Sequence, residues 1–140
     1  MTYDENKREQ WKADRARIQE RMASSHQVPQ QVILDRLKSP EPLQVWLRGK
    51  PPQVIVGNSQ TPDETVLANF LWETLGVFVW AFGFEAWGLE GDVIELPAWC
   101  GEFAKIEGEH SRADQSPNGD WTAAKALEML EEMEHRLQSR

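Results

Sequence analysis

Two Glu-x-x-His pairs are the residues of this chain whose spacing most directly suggests metal chemistry. They are Glu107 with His110, and Glu132 with His135. On facing helices this spacing turns a carboxylate and an imidazole inward, as in carboxylate-bridged di-iron bundles. That context is missing here, because Gly108 and a polar segment follow Glu107, and because the second pair lies off the predicted apolar face of the last helix and should face solvent. We therefore predict no metal site and no cofactor.

Cys100 is the only cysteine, so the chain cannot form an intramolecular disulfide and suits a reducing compartment. It follows Trp99 near the start of a predicted helix, where the helix dipole would lower the pKa of a thiol. A nucleophilic cysteine also needs a base, and His26, His110 and His135 lie in polar segments distant in sequence. Free cysteines are most often small buried side chains. We predict that role for Cys100, and no catalytic residue.

Four carboxylates fall within the segment that should form a small sheet: Glu85, Glu90, Asp92 and Glu95. A glycosidase would need two of them to face each other across a cleft. A chain of 140 residues leaves little room for a sugar-binding cleft. The nearby glycines lack the spacing and the lysine of a nucleotide-binding turn. A solvated acidic face is therefore expected in place of an acid–base pair, and the chain is not predicted to be an enzyme.

The four carboxylates belong to a longer stretch without cations. Residues 51–104 contain no lysine or arginine, yet they hold eight carboxylates and four of the seven tryptophans. Soluble proteins ordinarily intersperse the two signs of charge, so this stretch predicts an aromatic core under an electronegative face that suits a basic partner. Tryptophan is enriched in binding hot spots. The residues predicted to contact the partner are Glu85, Trp87, Glu90, Asp92 and Glu95.

The basic residues are concentrated in a predicted N-terminal helix over residues 4–24. Its apolar stripe is thin, so the helix should be exposed. Three cations share one face and could contact phosphates, although interleaved acidic residues are typical of a self-paired surface helix. The same helix could instead clamp a partner or a second copy of the chain, forming a homodimer. The residues predicted for these contacts are Arg8, Trp11, Lys12, Arg15 and Ile18.

Hydrophobic periodicity and turn residues predict the elements that position these side chains. The first half of the chain should form the helix over residues 4–24, a short helix opening at Pro29, and a hairpin of residues 43–47 and 53–56. A helix follows that begins with a capping box at residues 61–64 and is stopped by Gly76. The remaining elements are strands over 77–82, 84–87 and 92–96, a helix over 97–106, and a last helix over 121–138 capped by Asp120.

The element order predicts an α+β fold, with a small, mostly antiparallel sheet packed by three or four helices and an exposed N-terminal helix. We divide the chain into a mixed-charge helix over residues 1–26 and a single α+β domain over residues 27–140, in which 107–120 is expected to be a mobile loop. The first 50 residues carry a net charge of +3 and the remainder −11. The longest apolar run, residues 75–84, is too short to cross a membrane, so we expect a soluble cytoplasmic protein without a membrane partner.

These observations favour a non-enzymatic protein–protein interaction module whose acidic surface engages a basic protein. One version is an inhibitor or regulator that covers a nucleic-acid-binding surface of its partner with carboxylates in place of phosphates. An adaptor or assembly subunit fits equally well. The first alternative is a nucleic-acid-associated protein that uses the basic N-terminal helix. The second is a small enzyme of unrecognised type, which would require His, Cys and carboxylate side chains to converge in one pocket.

Overall fold

A computed structural model describes residues 3–58, 61–88, 92–112 and 119–139. The helices in these ranges are α1 (Tyr3–Ser24), α2 (Gln30–Arg36), α3 (Glu41–Arg48), α4 (Val66–Leu75), α5 (Ala98–Arg112) and α6 (Ala123–Gln138). The strands are β1 (Ile55–Asn58), β2 (Trp80–Phe82), β3 (Glu85–Trp87), β4 (Val93–Glu95) and β5 (Asp120–Thr122). The predicted α+β class is confirmed.

The sequence predicts one small, mostly antiparallel sheet, whereas the described residues form two sheets, both small and antiparallel. One has three strands in the order β2-β3-β4, and the other pairs β1 with β5. The two-stranded sheet joins distant parts of the chain, because Ile55 lies opposite Thr122 and Asn58 lies opposite Asp120. The Asn58 side-chain amide donates a 2.8 Å hydrogen bond to the Asp120 carboxylate at the end of this pairing.

The predicted hairpin of residues 43–47 and 53–56 is wrong. The first half is helix α3, whose Leu43 and Leu47 are fully buried one turn apart. Val45 would share their face in a strand, but it is 63% exposed. Three apolar residues at every second position are typical of a strand. In the helix, only the two residues that are four positions apart share the buried face. The second half does form β1, but β1 pairs with β5.

The start of helix α4 also differs from its prediction, whereas its end agrees. Thr61 does not cap the helix through its side chain, and residues Pro62–Glu64 form a separate 3-10 helix. The cap is Thr65, whose hydroxyl accepts a 3.2 Å hydrogen bond from the amide of Ala68. Gly76 ends the helix as predicted, with the left-handed φ of 67° that glycine adopts without steric cost.

Helix α5 continues past the predicted boundary at residue 106 and ends at Arg112, so the loop predicted from residue 107 is wrong for its first six residues. Residues 113–118 lie outside the described ranges. The last helix also starts later than predicted, because Asp120 and its neighbours form β5. Thr122 caps α6 by accepting a 3.1 Å hydrogen bond from the amide of Lys125.

The core is formed by residues of α2 to α6 and of the strands, and it contains two of the seven tryptophans. Trp121 is fully buried, and the Trp99 indole donates a 2.7 Å hydrogen bond to the carbonyl of Leu37. Trp11 and Trp87, in contrast, are 60% and 39% exposed. The aromatic residues are therefore divided between the core and the surface.

Helix α1 is held to the rest of the protein by polar contacts. The guanidinium group of Arg17 contacts the carboxylates of Asp63 and Glu64, each at 3.1 Å. One turn further along, Arg21 donates to the side chain of Asn69 at 3.2 Å, and its guanidinium carbon lies 5.4 Å from the ring centre of Trp72. Apolar burial contributes little to this attachment, in agreement with the predicted exposed helix.

Candidate functional site

The outward face of the three-stranded sheet gathers three of the five residues predicted for the acidic binding surface. Ala81, Ala86 and Ile94 point inward and are buried, so the residues that alternate with them point outward. Strand register arranges the outward positions in two cross-strand rows. An apolar row consists of Trp80, Trp87 and Val93, and an acidic pair consists of Glu85 and Glu95.

The acidic pair is an unfavourable arrangement for the isolated protein. Glu85 and Glu95 are direct partners in the antiparallel register of β3 and β4, and both are exposed. Directly opposed side chains lie about 5 Å apart at Cβ, and like charges there are destabilising. No lysine or arginine in the described part of the chain forms an ion pair with either carboxylate. In the described part of the chain, no ion pair relieves this repulsion.

The apolar row lies directly beside the acidic pair. Val93 is 46% exposed, and Trp80 is half-buried with its ring edge against Phe78, at 4.7 Å between ring centres. Exposed aromatic and β-branched side chains in adjacent positions offer a partner a continuous apolar surface. Together, the two rows place an apolar patch and a negative charge on one rigid face.

Phe84 fixes the β2–β3 turn against helix α5. The side chain is 57% exposed, yet one edge of its ring occupies the space above Gly101. A Cβ atom built on Gly101 would lie only 1.9 Å from a ring carbon of Phe84. The backbone amide of Leu96 also donates a 2.7 Å hydrogen bond to the carbonyl of Phe84. These contacts hold the hairpin and therefore the position of its outward face.

No protein-family model, curated protein or solved structure matches this chain. Function must therefore be inferred from the chemistry of its own surface. No helix in the described ranges has the length and apolarity needed to cross a membrane.

The remaining predicted members of the acidic face do not join these rows. Asp92 is exposed in the β3–β4 connection, where its carbonyl accepts a 3.0 Å hydrogen bond from the amide of Gly88. Glu90 lies outside the described residues. Of the five predicted residues, the structure thus brings Glu85, Trp87 and Glu95 onto one surface.

Other carboxylates of the cation-free stretch are neutralised by residues from outside it. Asp63 is only 3% exposed and is paired with Arg17, as described above. Glu73 lies 2.7 Å from the ammonium group of Lys50 and accepts a 2.7 Å hydrogen bond from the Trp46 indole. The stretch without cations therefore does not produce a surface on which every carboxylate is unpaired. Asp63 and Glu73 have cationic partners, whereas no described cation pairs with the acidic pair.

The predicted residues of the N-terminal helix remain accessible. Arg8, Lys12 and Arg15 are exposed, and the Arg15 guanidinium carbon lies 5.3 Å from the ring centre of Trp11. Ile18 is half-buried. The structure leaves these side chains available for contact with a partner.

One residue from each Glu-x-x-His pair meets the other where α5 packs on α6, contrary to the expectation that Glu132 faces solvent. The His110 imidazole lies 2.9 Å from the Glu132 carboxylate, which also receives the Arg136 guanidinium at 2.7 Å. The hydrogen bond from His110 is the main cause of a lowered pKa for Glu132, with Arg136 also contributing. His135 is exposed. His110 and Glu132 thus form a polar contact between the two helices. No group of three or more potential metal ligands occurs in the described ranges.

Glu107 is a buried carboxyl that the sequence did not predict. It is 6% exposed, and burial raises the pKa of this group to about 8. The Trp121 indole lies close enough to lower that pKa by a smaller amount, yet its N–H makes no hydrogen bond of standard geometry. Glu107 directly follows the buried Ile106 in the helix, and this position does not predict that the Glu107 side chain is itself buried.

Cys100 is fully buried, and this burial raises the pKa of its thiol to about 12. An activated cysteine requires the opposite shift and access to substrate. The position therefore has the chemistry of a small core side chain, as its sequence context predicts.

Proposed function

We propose that this protein is a non-enzymatic interaction module that binds a basic protein through the outward face of β2, β3 and β4. The observation that carries the proposal is the direct opposition of Glu85 and Glu95, with no described cation on either, beside an exposed apolar row. Its single, deeply buried thiol suits a reducing compartment, and we place the protein in the cytoplasm.

The partner's contribution follows from the chemistry of the two rows. One cation placed between Glu85 and Glu95 forms two ion pairs and removes their mutual repulsion. Arginine fits best, because its planar guanidinium group can donate to both carboxylates and also stack on a tryptophan face. Outward positions on a strand are about 7 Å apart. The partner should therefore present an arginine and an apolar side chain about that distance from each other.

The two rows have different energetic roles. An exposed ion pair contributes about 0–1 kcal/mol, so the acidic pair alone cannot give stable binding. Burial of the apolar row on Trp87 and Val93 must supply most of the affinity, whereas the carboxylates accelerate association and reject acidic partners. A regulator that covers a nucleic-acid-binding surface would use the carboxylates in place of phosphates. An adaptor would use the same face to hold a basic subunit.

Capture from the native lysate, with and without nuclease, tests the proposal. The wild-type chain is compared with Glu85→Gln/Glu95→Gln and with a control, Glu41→Gln/Glu131→Gln, which loses the same charge from exposed sites elsewhere. We expect a nuclease-resistant protein that elutes with added salt, is lost with the first variant and is retained by the control. Recovery of nucleic acid alone contradicts the proposal, and so does recovery of the same amount of the protein partner by both variants.

A second candidate function is nucleic-acid association through α1, favoured by the stacking of Arg15 on the exposed ring of Trp11. Aromatic side chains beside cations are the usual means of binding single strands. The triple variant Arg8→Gln/Lys12→Gln/Arg15→Gln should abolish nucleic-acid recovery if this function is correct. It should leave protein capture intact if the outward face is the binding surface.

A further inference from the structure

A cavity of about 350 Å³ is lined by none of the residues of the apolar row or the acidic pair. Its walls are the segment that joins α1 to α2, the residues preceding β2, and Gly88 and Asp92 between β3 and β4. The volume falls within the range of small-molecule sites, at its lower end. The described lining residues are Ser25, His26, Gln27, Val28, Pro29, Gln30, Ile33, Val77, Phe78, Val79, Gly88, Asp92 and Ile94.

Two hydrogen bonds fix one end of the cavity. The backbone amide of His26 donates to the carbonyl of Gly76 at 2.7 Å, and the amide of Phe78 donates to the Ser25 hydroxyl at 2.9 Å. Gly76 is required there, because a Cβ atom at this position would lie 2.8 Å from the His26 ring. Beyond this joint, Pro29 is in extended conformation and directly precedes α2.

The floor of the cavity is apolar and preformed. It consists of side chains that are between 1% and 6% exposed and that come from α2, the segment before β2, and β4: Ile33, Val77, Phe78, Val79 and Ile94. An apolar group placed against this floor would remove from water its own apolar surface and the small part of these side chains that is still accessible.

The rim gives the site its charge preference. Asp92 is exposed and is the only lining residue in the described ranges with a formal charge. No described lysine or arginine forms an ion pair with it. The side-chain amides of Gln27 and Gln30 add neutral hydrogen-bonding groups. A cationic ligand is therefore favoured over an anionic one of the same shape.

We propose that this cavity binds a small organic cation with an aromatic or aliphatic body and one ammonium group. The body rests on the apolar floor and supplies the affinity, and the ammonium group lies at the rim beside Asp92. Because Asp92 is exposed to solvent, its charge should change affinity by about fivefold at most. This site does not depend on the acidic pair. The proposed function can therefore be contradicted while the cavity still binds its ligand, and the reverse is also true.

Three probes of similar shape and different charge test this site: 2-phenylethylammonium, 2-phenylethanol and phenylacetate. Each is titrated into the 15N-labelled full chain while the amide shifts of Val77, Phe78, Val79 and Ile94 are followed. We expect saturable binding with affinity falling from the cation to the alcohol to the anion. Absence of saturable shifts with the cation, or equal affinity for all three probes, overturns the proposal.

Three variants separate the charge from the cavity. Asp92→Asn should remove the preference for the cation while binding of 2-phenylethanol is retained. Gln30→Trp places a large side chain at the exposed rim and should weaken all three probes at least tenfold. The control Glu131→Gln removes a charge outside the lining and should leave all three affinities unchanged. A preference for the cation that persists in Asp92→Asn contradicts the assignment, even if Gln30→Trp fails to fold.

Discussion

Arg17 and Asp63 form a two-pronged ion pair across 46 residues of sequence. Guanidinium nitrogens Nε and Nη2 donate to the two carboxylate oxygens at distances between 3.1 and 3.3 Å. The Asp63 side chain is almost inaccessible, whereas that of Arg17 is 23% exposed. Removal of the cation would leave a buried carboxylate without its charge partner. Breaking a buried ion pair in this way is strongly destabilising.

We therefore expect Arg17→Gln to lower the free energy of unfolding by about 3 kcal/mol. Arg15→Gln, an exposed site on the same helix, should change it by less than about 0.5 kcal/mol. Urea denaturation measures both. Combining Arg17→Gln with Asp63→Asn should cost less than the sum of the single changes, since neither partner is then left charged. Additive effects would show that the pair does not hold α1.

Glu107 should make stability fall as pH rises. The unfolded chain releases this proton near pH 4.5, whereas the folded protein keeps it until about pH 8. The folded state therefore binds more protons between these values, and this contribution to stability is complete below pH 4.5 and is lost as pH rises through 8. The slope approaches about 1.4 kcal/mol per pH unit.

Glu107→Gln should flatten that dependence, because its amide fills the site without ionising. Thermal or urea unfolding between about pH 5.5 and 8.5 gives the two curves. The wild-type and Glu107→Gln curves should separate as pH rises, with the variant the more stable at the alkaline end. Glu131→Gln, an exposed site on α6, should retain the wild-type slope. Parallel curves for Glu107→Gln would contradict a buried neutral carboxyl.

Gly101→Ala should destabilise the protein although alanine is the better helix former. The added methyl group would overlap the Phe84 ring, so we expect a loss of about 1–3 kcal/mol. In a Phe84→Ala background the overlap disappears, and the same change should gain up to about 1 kcal/mol. A double-mutant cycle of unfolding free energies checks this reversal of sign. A gain in both backgrounds would mean that Phe84 does not pack on Gly101.

Glu85→Gln should stabilise the free protein while weakening its capture of a partner. Removing one of two directly opposed carboxylates should raise the free energy of unfolding by about 0.2–1 kcal/mol. Added salt should stabilise the wild-type chain more than the variant, because only the wild type has the repulsion to screen. Glu131→Gln should show neither effect. A destabilised Glu85→Gln variant would mean that the carboxylate has a favourable contact within the fold.

Local patterns predicted the elements that depend on near neighbours. The end of α4 at Gly76 follows from the unique freedom of glycine at positive φ, and the strands around residues 80–95 follow from their aromatic and β-branched composition. The outward grouping of Glu85, Trp87 and Glu95 follows from alternation once the strands are paired in register. These parts of the candidate site were accessible to sequence reasoning.

Features that depend on contacts between residues distant in sequence could not be predicted from local patterns. Leu43, Val45 and Leu47 satisfy a strand pattern as well as a helical one, and only packing against the core selects the helix. Nothing in the sequence around Asp63 indicates that Arg17 will reach it. The burial of Glu107 likewise depends on how α5 meets β5 and α6, since its own helix could equally present a glutamate to solvent.

The pairing of β1 with β5 has a consequence for the order in which the chain acquires its structure. Asn58 and Asp120 are 62 residues apart, and at about 5–20 residues per second a ribosome needs roughly 3–12 s to extend the chain from one to the other. During that interval β1 has no strand to pair with, although Ile55 and Val56 have already been synthesised. The nascent chain therefore carries an unpaired apolar segment until β5 has been synthesised.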